Sequence, residues 1–292
     1  DVQSVTVLRS MTDFALAPAA GFTAPELHAA NVAAFSDYVA GPIQMTPDQW
    51  PSFVGRQGID LELSRVAVRD GAIVSFALAC TRVDDRRWRL AGMGALPAAR
   101  GTGAAPALLD DFLARAKAAG MAHAELECFA ANERALRLYR SRGFEVVCAL
   151  NAWKAPDEPT PAGDARLARD VRAVAREDAF AWLDGAARRI AWLPFQNTTR
   201  CLAAQPRPLT FWRCGSAQVV FSVVEGTQTL VHSVVDLDPA LRDARTLARA
   251  LSAAHPGTFA PPIFRDDLGG DALRRAGWAP HGLNQVLMRA AL

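Results

Sequence analysis

The segment that most restricts the fold is a loop rich in glycine and alanine, placed between a strand pattern and a helix pattern. Residues 95–105 are Ala-Leu-Pro-Ala-Ala-Arg-Gly-Thr-Gly-Ala-Ala. Residues 88–95 predict a strand before it, and residues 106–119 predict a helix after it. Because Gly101 and Gly103 carry no side chain, their amides and the helix N-terminus can hold a phosphate or pyrophosphate. The spacing is neither that of a dinucleotide-binding loop nor that of a Walker loop, and a plain tight turn is the alternative.

A second motif follows the predicted helix. Residues 122–129 predict a strand, and in residues 131–139 apolar side chains recur at the i, i+3, i+4 spacing of a helix. Gly143 suits the left-handed position that ends many helices, and Phe144 begins another apolar run. The order is therefore strand, anion-binding loop, helix, strand, helix, strand.

These motifs resemble, in order and spacing, those of the GNAT superfamily of acyl-CoA-dependent N-acetyltransferases. The resemblance covers roughly residues 60–150 and rests on Pro97, Arg100, Gly103, Ala105, Asn132, Ala135, Leu138, Tyr139, Gly143 and Phe144. It implies an α/β (α+β) fold with a mixed, mostly antiparallel twisted sheet flanked by helices. It also implies acetyl-CoA as co-substrate.

The resemblance further assigns residues to the cofactor. Backbone amides of the loop would hold the CoA pyrophosphate, and the residues concerned are Arg100, Gly101, Thr102, Gly103, Ala104 and Ala105. The strand end, with Met93, Ala95 and Leu96, would lie beside the pantetheine and the acetyl group. A backbone amide there would polarise the thioester and stabilise the oxyanion. Asn132 would bond the pantetheine arm.

Two residues are candidates for acid–base catalysis. In the resemblance, Tyr139 holds the place of the general acid that protonates the leaving thiolate, although a tyrosine on an amphipathic helix can also simply pack in the core. The amine must lose a proton before it attacks, and Glu125 and Glu127 alternate along a strand so that both face one side. Glu127 has the spacing of the base in relatives that acetylate ribosomal-protein N-termini, whereas a surface carboxylate or an ion pair is the structural alternative.

Composition excludes several function classes. The chain has 32 Lys and Arg against 30 Asp and Glu, so a net charge of +2 gives no electrostatic argument for nucleic-acid binding. No apolar run approaches the length of a membrane span. The five cysteines have no metal-ligand spacing, and the five histidines are scattered, so we expect no metal site. Free thiols favour a cytoplasmic protein. Cys128 adjoins Glu127, but nothing in the sequence supplies a base that would make it a nucleophile.

The length of 292 residues predicts two domains. Residues 154–163 contain three prolines and a glycine and are interpreted as a linker, between a catalytic domain at 1–153 and a second domain at 164–292. Leu-Asp-Pro-Ala-Leu-Arg at 237–242 repeats the pattern of 95–100, and 271–278 parallels 137–144. We interpret the second half as a copy of the same fold, while an unrelated α/β domain is the alternative.

The second copy is predicted to have lost its working residues. In this alignment Asp243, Arg245 and Leu247 replace Gly101, Gly103 and Ala105, and a helix is predicted over 246–254. An aspartate in the loop would repel pyrophosphate, and bulky side chains would keep it from the backbone. Asp266 and Leu273 stand where Asn132 and Tyr139 would recur. We therefore expect the second half not to bind CoA in the family manner.

The acceptor is less well defined by the sequence. A small-molecule amine is favoured, a protein N-terminus is possible, and the oligomeric state is open. Asp37 and Tyr38 could line an amine pocket, or they could be a helix-end residue and a packing residue. Residues 192–196 could cover the cleft or belong to the core of the second domain. A CoA-binding sensor or scaffold is the alternative to an enzyme, and the acid and base candidates favour the enzyme.

Overall fold

The computed structural model describes residues 13–158, 170–223 and 228–292. Its strands are β1 (Ala15–Pro18), β2 (Asp60–Arg69), β3 (Ala72–Arg82), β4 (Arg87–Ala95), β5 (His123–Phe129), β6 (Glu145–Lys154), β7 (Arg172–Ala173), β8 (Thr210–Cys214), β9 (Ala217–Ser222), β10 (Leu230–Asp236), β11 (Phe259–Phe264), β12 (Ala279–Pro280) and β13 (Gln285–Ala291). Its α-helices are α1 (Ala24–Ala34), α2 (Trp50–Gln57), α3 (Ala104–Ala118), α4 (Glu133–Arg140), α5 (Arg176–Ala187), α6 (Thr199–Ala203), α7 (Arg242–Ala254) and α8 (Gly270–Arg275). None of the helices in the described residues is long and apolar enough to cross a membrane. The fold is mixed α/β with mostly antiparallel pairing, as predicted.

Contacts along the chain divide it into two compact units. The first comprises residues up to 50, residues 59–124 and residue 292, and the second comprises residues 51–58 and 125–291. This division does not coincide with the predicted linker. Residues 159–163 of that segment lie outside the described residues, and its first part is bonded, since the Ala155 amide donates to the carbonyl of Thr258. The boundary at 154–163 therefore stays a prediction.

The first unit is built on the antiparallel strands β1 to β4, in that order. Residues 73–80 of β3 are Ile-Val-Ser-Phe-Ala-Leu-Ala-Cys and are buried without interruption. Helices α1 and α3 both pack on this strand. A strand buried in this way carries an almost continuous run of apolar residues, whereas a strand with one solvent-exposed face alternates apolar and polar residues. Gly94 in β4 is required by close packing, because a Cβ there would stand 2.8 Å from the ring of Phe76 and 2.9 Å from Ala34.

In the second unit the last strand of the chain lies between two strands of the predicted catalytic domain. The order is β5, β13, β6, β11, β10, β9, β8, β7, and β12 also pairs with β6. The first part of β6, as far as Leu150, pairs with β13, and its last part, from Asn151, pairs with β11 and β12. The strand that carries Glu127 thus has the C-terminal strand of the chain as one of its neighbours.

Several local features occur twice along the chain. Strand β4 has an irregular register at Ala91, between the pairs Leu90–Ala79 and Gly92–Leu78, and β10 has one at His232. Helices α4 and α8 both end at a glycine with positive φ, 81° at Gly143 and 93° at Gly277. The following amide then donates to the carbonyl five residues earlier in both places, at 3.1 Å.

The sequence alignment of residues 95–105 with the second half is wrong about where the following helix begins. Helix α7 begins at Arg242 and not at Thr246, because Leu241 takes the left-handed N-cap position with φ 56°. Gly103 is the left-handed N-cap of α3, with φ 88°. If the two halves are aligned at these helix N-caps, Leu241 takes the place of Gly103. Asp243 lies inside the helix, where its carboxylate accepts the Ser216 amide at 2.8 Å.

Candidate active site

The end of β4 presents two amides on the side away from β3. The Leu96 amide donates to Val74 at 3.0 Å, and Ala95 is paired with Ser75 in the register between the strands. Because hydrogen-bonded and non-hydrogen-bonded pairs alternate in antiparallel strands, the amides of Ala95 and Met93 point away from β3. The predicted role of a backbone amide in polarising the thioester fits Met93 and Ala95. It does not fit the amide of Leu96, which is already engaged.

The loop that follows leaves open space at both glycines. A 3₁₀ turn at Pro97–Ala99 leads into Gly101 and Gly103, which have φ of 81° and 88°. A Cβ placed on either glycine would meet no atom within 4 Å. The glycines are therefore needed for backbone conformation and not for packing inside the protein. Thr102 is held in the loop by its hydroxyl, which donates to the carbonyl of Ala99 at 2.7 Å.

The N-terminus of α3 offers unpaired donors. The Ala107 amide bonds the carbonyl of Gly103 at 3.0 Å, and Pro106 has no amide hydrogen. In the described part of the chain, the amides of Gly103, Ala104 and Ala105 have no protein acceptor, and Gly103 supplies no side-chain cap. No acidic residue lies in the first turn. Converging amides at a positive helix end form an anion site, and a diphosphate fits it.

The side chain of Arg100 turns to the protein and not to this site. Its guanidinium donates to both carboxylate oxygens of Asp37 at 2.5 Å and to the carbonyl of Ala34 at 3.2 Å. The hydrogen bond to Asp37 raises the pKa of Arg100. Of the two interpretations of Asp37, the structure thus supports a structural one. Its neighbour Tyr38 packs against Phe35, with ring centroids 4.8 Å apart.

In the second unit, β5 carries the acidic candidates. Glu125 is fully buried, whereas Glu127 is only partly buried, although both face the same side of the strand. Partial exposure lets Glu127 meet a substrate or a water molecule. Cys128 is buried, and burial raises the pKa of its thiol to about 12. The thiol therefore stays protonated at neutral pH, which agrees with the prediction that it is no nucleophile.

Helix α4 positions Asn132 and Tyr139. Asn132 is the N-cap, and its side-chain oxygen accepts the Ala135 amide at 3.2 Å. This bond leaves the side-chain NH₂ group as the donor for a ligand. Tyr139 is 8% exposed and packs against Phe144, with ring centroids 5.8 Å apart. The ring of Tyr139 is thus packed in the core, as the alternative interpretation predicted. The role of its hydroxyl as an acid stays a prediction.

Charged residues that sequence analysis missed lie near Cys148. Burial raises the pKa of the Cys148 thiol to about 11, and charges on Arg265, Asp267, Asp266 and Glu127 also act on it. Each of these groups therefore lies near Cys148 in the second unit. The predicted correspondence of Asp266 with Asn132 was the one signal that pointed to this segment. Asp266 accepts a hydrogen bond from Asn151 at 2.9 Å.

Arg265 joins this group to the segment at 192–196. Its guanidinium pairs with Asp267 at 2.6 Å and donates to the carbonyl of Trp192 at 3.0 Å. Leu193 and Phe195 are buried in the core, as one interpretation of the segment predicted. Trp192 is half-buried beneath the guanidinium of Arg289, 5.4 Å from its ring centre. Trp192 is thus the aromatic residue of this segment that stays partly exposed.

The helix end in the second half that corresponds to α3 is already occupied by a carboxylate. Asp236 is 3% exposed, and its oxygens accept the amides of Ala244 and Asp238, both at 2.9 Å. Ser216 adds a third bond at 2.7 Å. The positive end of α7 is therefore neutralised from within the protein.

The start of α8 packs closely on β10. A Cβ on Gly269 would stand 2.6 Å from Val234, so β10 and the start of α8 are in direct contact.

No group of three or more histidine, cysteine or acidic residues in the described ranges is arranged to hold a metal ion.

Comparisons with known proteins agree with this arrangement. Residues 34–144 match the model of the Acetyltransferase (GNAT) family. The chain is similar in fold to a GCN5-related N-acetyltransferase from Sphaerobacter thermophilus, with 16% identity, a TM-score of 0.64 and coverage of 97% of this chain and 96% of that one. It is also similar to one from Kribbella flavida, with 18% identity, a TM-score of 0.60 and coverage of 97% and 72%. No curated protein matches the sequence.

At these identities the solved structures show the fold, and the family match covers the loop and the second motif together. The chain therefore contains a GNAT acetyltransferase domain at residues 34–144, and the protein is an acetyltransferase.

Proposed function

We propose that the protein transfers an acetyl group from acetyl-CoA directly to a primary amine, with one acetyl-CoA bound per chain. The observation that carries this proposal is the open N-terminus of α3, where Gly101 and Gly103 leave space and the amides of Ala104 and Ala105 lack acceptors. The pyrophosphate of CoA is the anion that the family places there. The residues fit the cofactor because a diphosphate needs several converging donors and close approach of the backbone.

The chemistry needs one base, one oxyanion donor and one acid. Glu127 takes a proton from the ammonium ion, and the neutral nitrogen then attacks the thioester carbon. The amide of Met93 or Ala95 stabilises the oxyanion of the tetrahedral intermediate. When the C–S bond breaks, Tyr139 donates its phenolic proton to the leaving thiolate, and the nitrogen releases its second proton to solvent. The products are the acetamide and CoA, and solvent restores both protonation states.

The acceptor is an amine, and the surroundings of Glu127 support this class. Asp266 and Asp267 lie near Cys148, as Glu127 does, and carboxylates favour an approaching ammonium ion. A small-molecule amine is the preferred acceptor, and a protein N-terminus is the second candidate.

We also propose that the second half is a degenerate copy of the same fold. The repeated register irregularity and the repeated glycine cap support a common origin. The Asp236 carboxylate at the N-terminus of α7 supports the loss of CoA binding there.

The test is acetyl transfer by the purified protein over a panel of small amines and short peptides, followed by mass spectrometry. Tyr139→Phe should lower kcat by about 100-fold or more and leave CoA affinity unchanged, because general acid catalysis contributes on that scale. Tyr38→Phe removes the same atom from the other tyrosine of the chain and is the control. Glu127→Gln should lower kcat in the same way, with Glu133→Gln as its control.

If CoA binds and no amine of the panel is acetylated, the proposed transfer to a primary amine is wrong. Equal turnover by Tyr139→Phe and the unmodified protein would remove the assignment of Tyr139 as the acid.

A further inference from the structure

The guanidinium of Arg100 joins three parts of the first unit. It bonds the carbonyl of Ala34, the last residue of α1, and both carboxylate oxygens of Asp37 beyond that helix. Its Nε donates to the carbonyl of Ala95, the last residue of β4, at 3.4 Å. Four of the five N–H donors of the guanidinium are used in this way.

The side chain and the backbone of Arg100 have different roles in this geometry. The backbone lies in the loop that presents amides to the proposed pyrophosphate, whereas the side chain is engaged by the protein. A planar guanidinium held by a bidentate carboxylate has a fixed orientation, which a lysine at this position could not reproduce. The loop that starts at Arg100 is therefore fastened to the ends of α1 and β4.

The open surroundings of Gly101 and Gly103 mean that the loop needs another contact to fix its conformation. The Cβ positions of Gly101 and Gly103 meet no atom within 4 Å, so packing of the protein does not hold these residues in place. Glycine gives the backbone many accessible conformations, and an anion site works well only when its donors are already oriented. The ion pair between Asp37 and Arg100 restricts the first residue of the loop.

We propose that Asp37 is a positioning residue for the acyl donor, which orients the loop amides for the pyrophosphate through Arg100. The proposal rests on the function proposed above, since it assumes that residues 100–105 hold the CoA pyrophosphate. It also makes the segment after α1, which contains Asp37, a determinant of CoA affinity.

The experiment compares Asp37→Asn and Asp37→Ala with the unmodified protein, by titration calorimetry with CoA and by steady-state kinetics. We expect the Kd for CoA and the KM for acetyl-CoA to rise about 5- to 10-fold, with kcat changed less than twofold. A partly exposed ion pair is worth about 1 kcal/mol, and 1.4 kcal/mol corresponds to tenfold. Asp37→Glu keeps the charge and should restore most of the affinity.

A truncated acetyl donor distinguishes a role of Asp37 in pyrophosphate binding from a general role in the stability of the unit. S-acetyl-pantetheine lacks the pyrophosphate, so its kcat/KM should be the same in Asp37→Asn and the unmodified protein. Asp48→Asn is the control, because it removes an equal charge from an exposed site in the same unit. This variant should bind CoA normally.

The outcomes separate the two proposals. If the unmodified protein does not bind CoA, the proposed function fails. If it binds CoA and Asp37→Asn binds equally well, the proposed role of Asp37 is wrong. Equal losses with acetyl-CoA and S-acetyl-pantetheine would also overturn it, because they would mean general disruption of the unit.

Discussion

Substitution of Gly103 by alanine should weaken CoA binding far more than it weakens the fold. Gly103 has φ 88° and Gly120 has φ 70°, and a Cβ at either would meet no atom within 4 Å. The two glycines lie at opposite ends of α3, at its N-cap and just past its C-cap. Gly120→Ala is therefore a matched control, with the same backbone strain and the same open surroundings.

Each substitution should lower the free energy of unfolding by about 1–2 kcal/mol, the cost of a left-handed conformation for a residue with a side chain. Only Gly103→Ala places a methyl group where a pyrophosphate would approach the amides of Ala104 and Ala105. Loss of one hydrogen bond to a charged group costs about 1.5–3 kcal/mol, so the Kd for CoA should rise about 10- to 150-fold.

Titration calorimetry with CoA and urea unfolding followed by circular dichroism measure the two effects on the same samples. If Gly103→Ala and Gly120→Ala bind CoA equally well, the N-terminus of α3 is not the pyrophosphate site. The same conclusion would follow if both variants lost affinity in proportion to their loss of stability.

Three further predictions concern stability and folding. Burial lowers the pKa of His232 from 6.5 to about 4, and the charges on Arg207 and Arg56 contribute to this shift in the same direction. As pH falls below 6.5, the histidine therefore gains a proton in the unfolded chain and not in the folded chain. The free energy of unfolding should thus fall by about 2 kcal/mol between pH 7 and pH 5, and His232→Gln should abolish this slope in urea titrations. Asp236→Ala removes the acceptor of the Ala244 and Asp238 amides and should cost about 2–4 kcal/mol by urea unfolding, while the calorimetric stoichiometry stays at one CoA per chain. A chain ending at residue 158 lacks β13 and should expose the edges of β5 and β6, so we expect it to be aggregated in gel filtration, and a monomeric, folded fragment would contradict the assigned strand order.

Local patterns predicted the elements that position the site. The strand predicted at 88–95 is confirmed as β4, and the predicted helix end at Gly143 is confirmed by its positive φ. These features depend on neighbours in the sequence, such as periodicity, glycine and proline, and a single sequence contains that information. The glycine loop was identifiable for the same reason.

Features that depend on distant parts of the chain could not be predicted. Insertion of β13 between β5 and β6 joins residues more than a hundred positions apart, and alternation along a strand does not name its partner. The ion pair of Asp37 with Arg100 likewise depends on how α1 packs on β3, not on local spacing. The early start of α7 was missed because Leu241 takes a backbone conformation that leucine rarely adopts.

Amide hydrogen exchange with and without CoA tests the central claim most directly, since it observes the proposed donors themselves. The account predicts that CoA slows exchange at the amides of Gly101, Gly103, Ala104 and Ala105, which have no protein acceptor in the described ranges. It predicts no change at the N-terminus of α7, where Asp236 already accepts the Ala244 amide. Protection at α7, or unchanged exchange at the start of α3 under saturating CoA, would contradict the account.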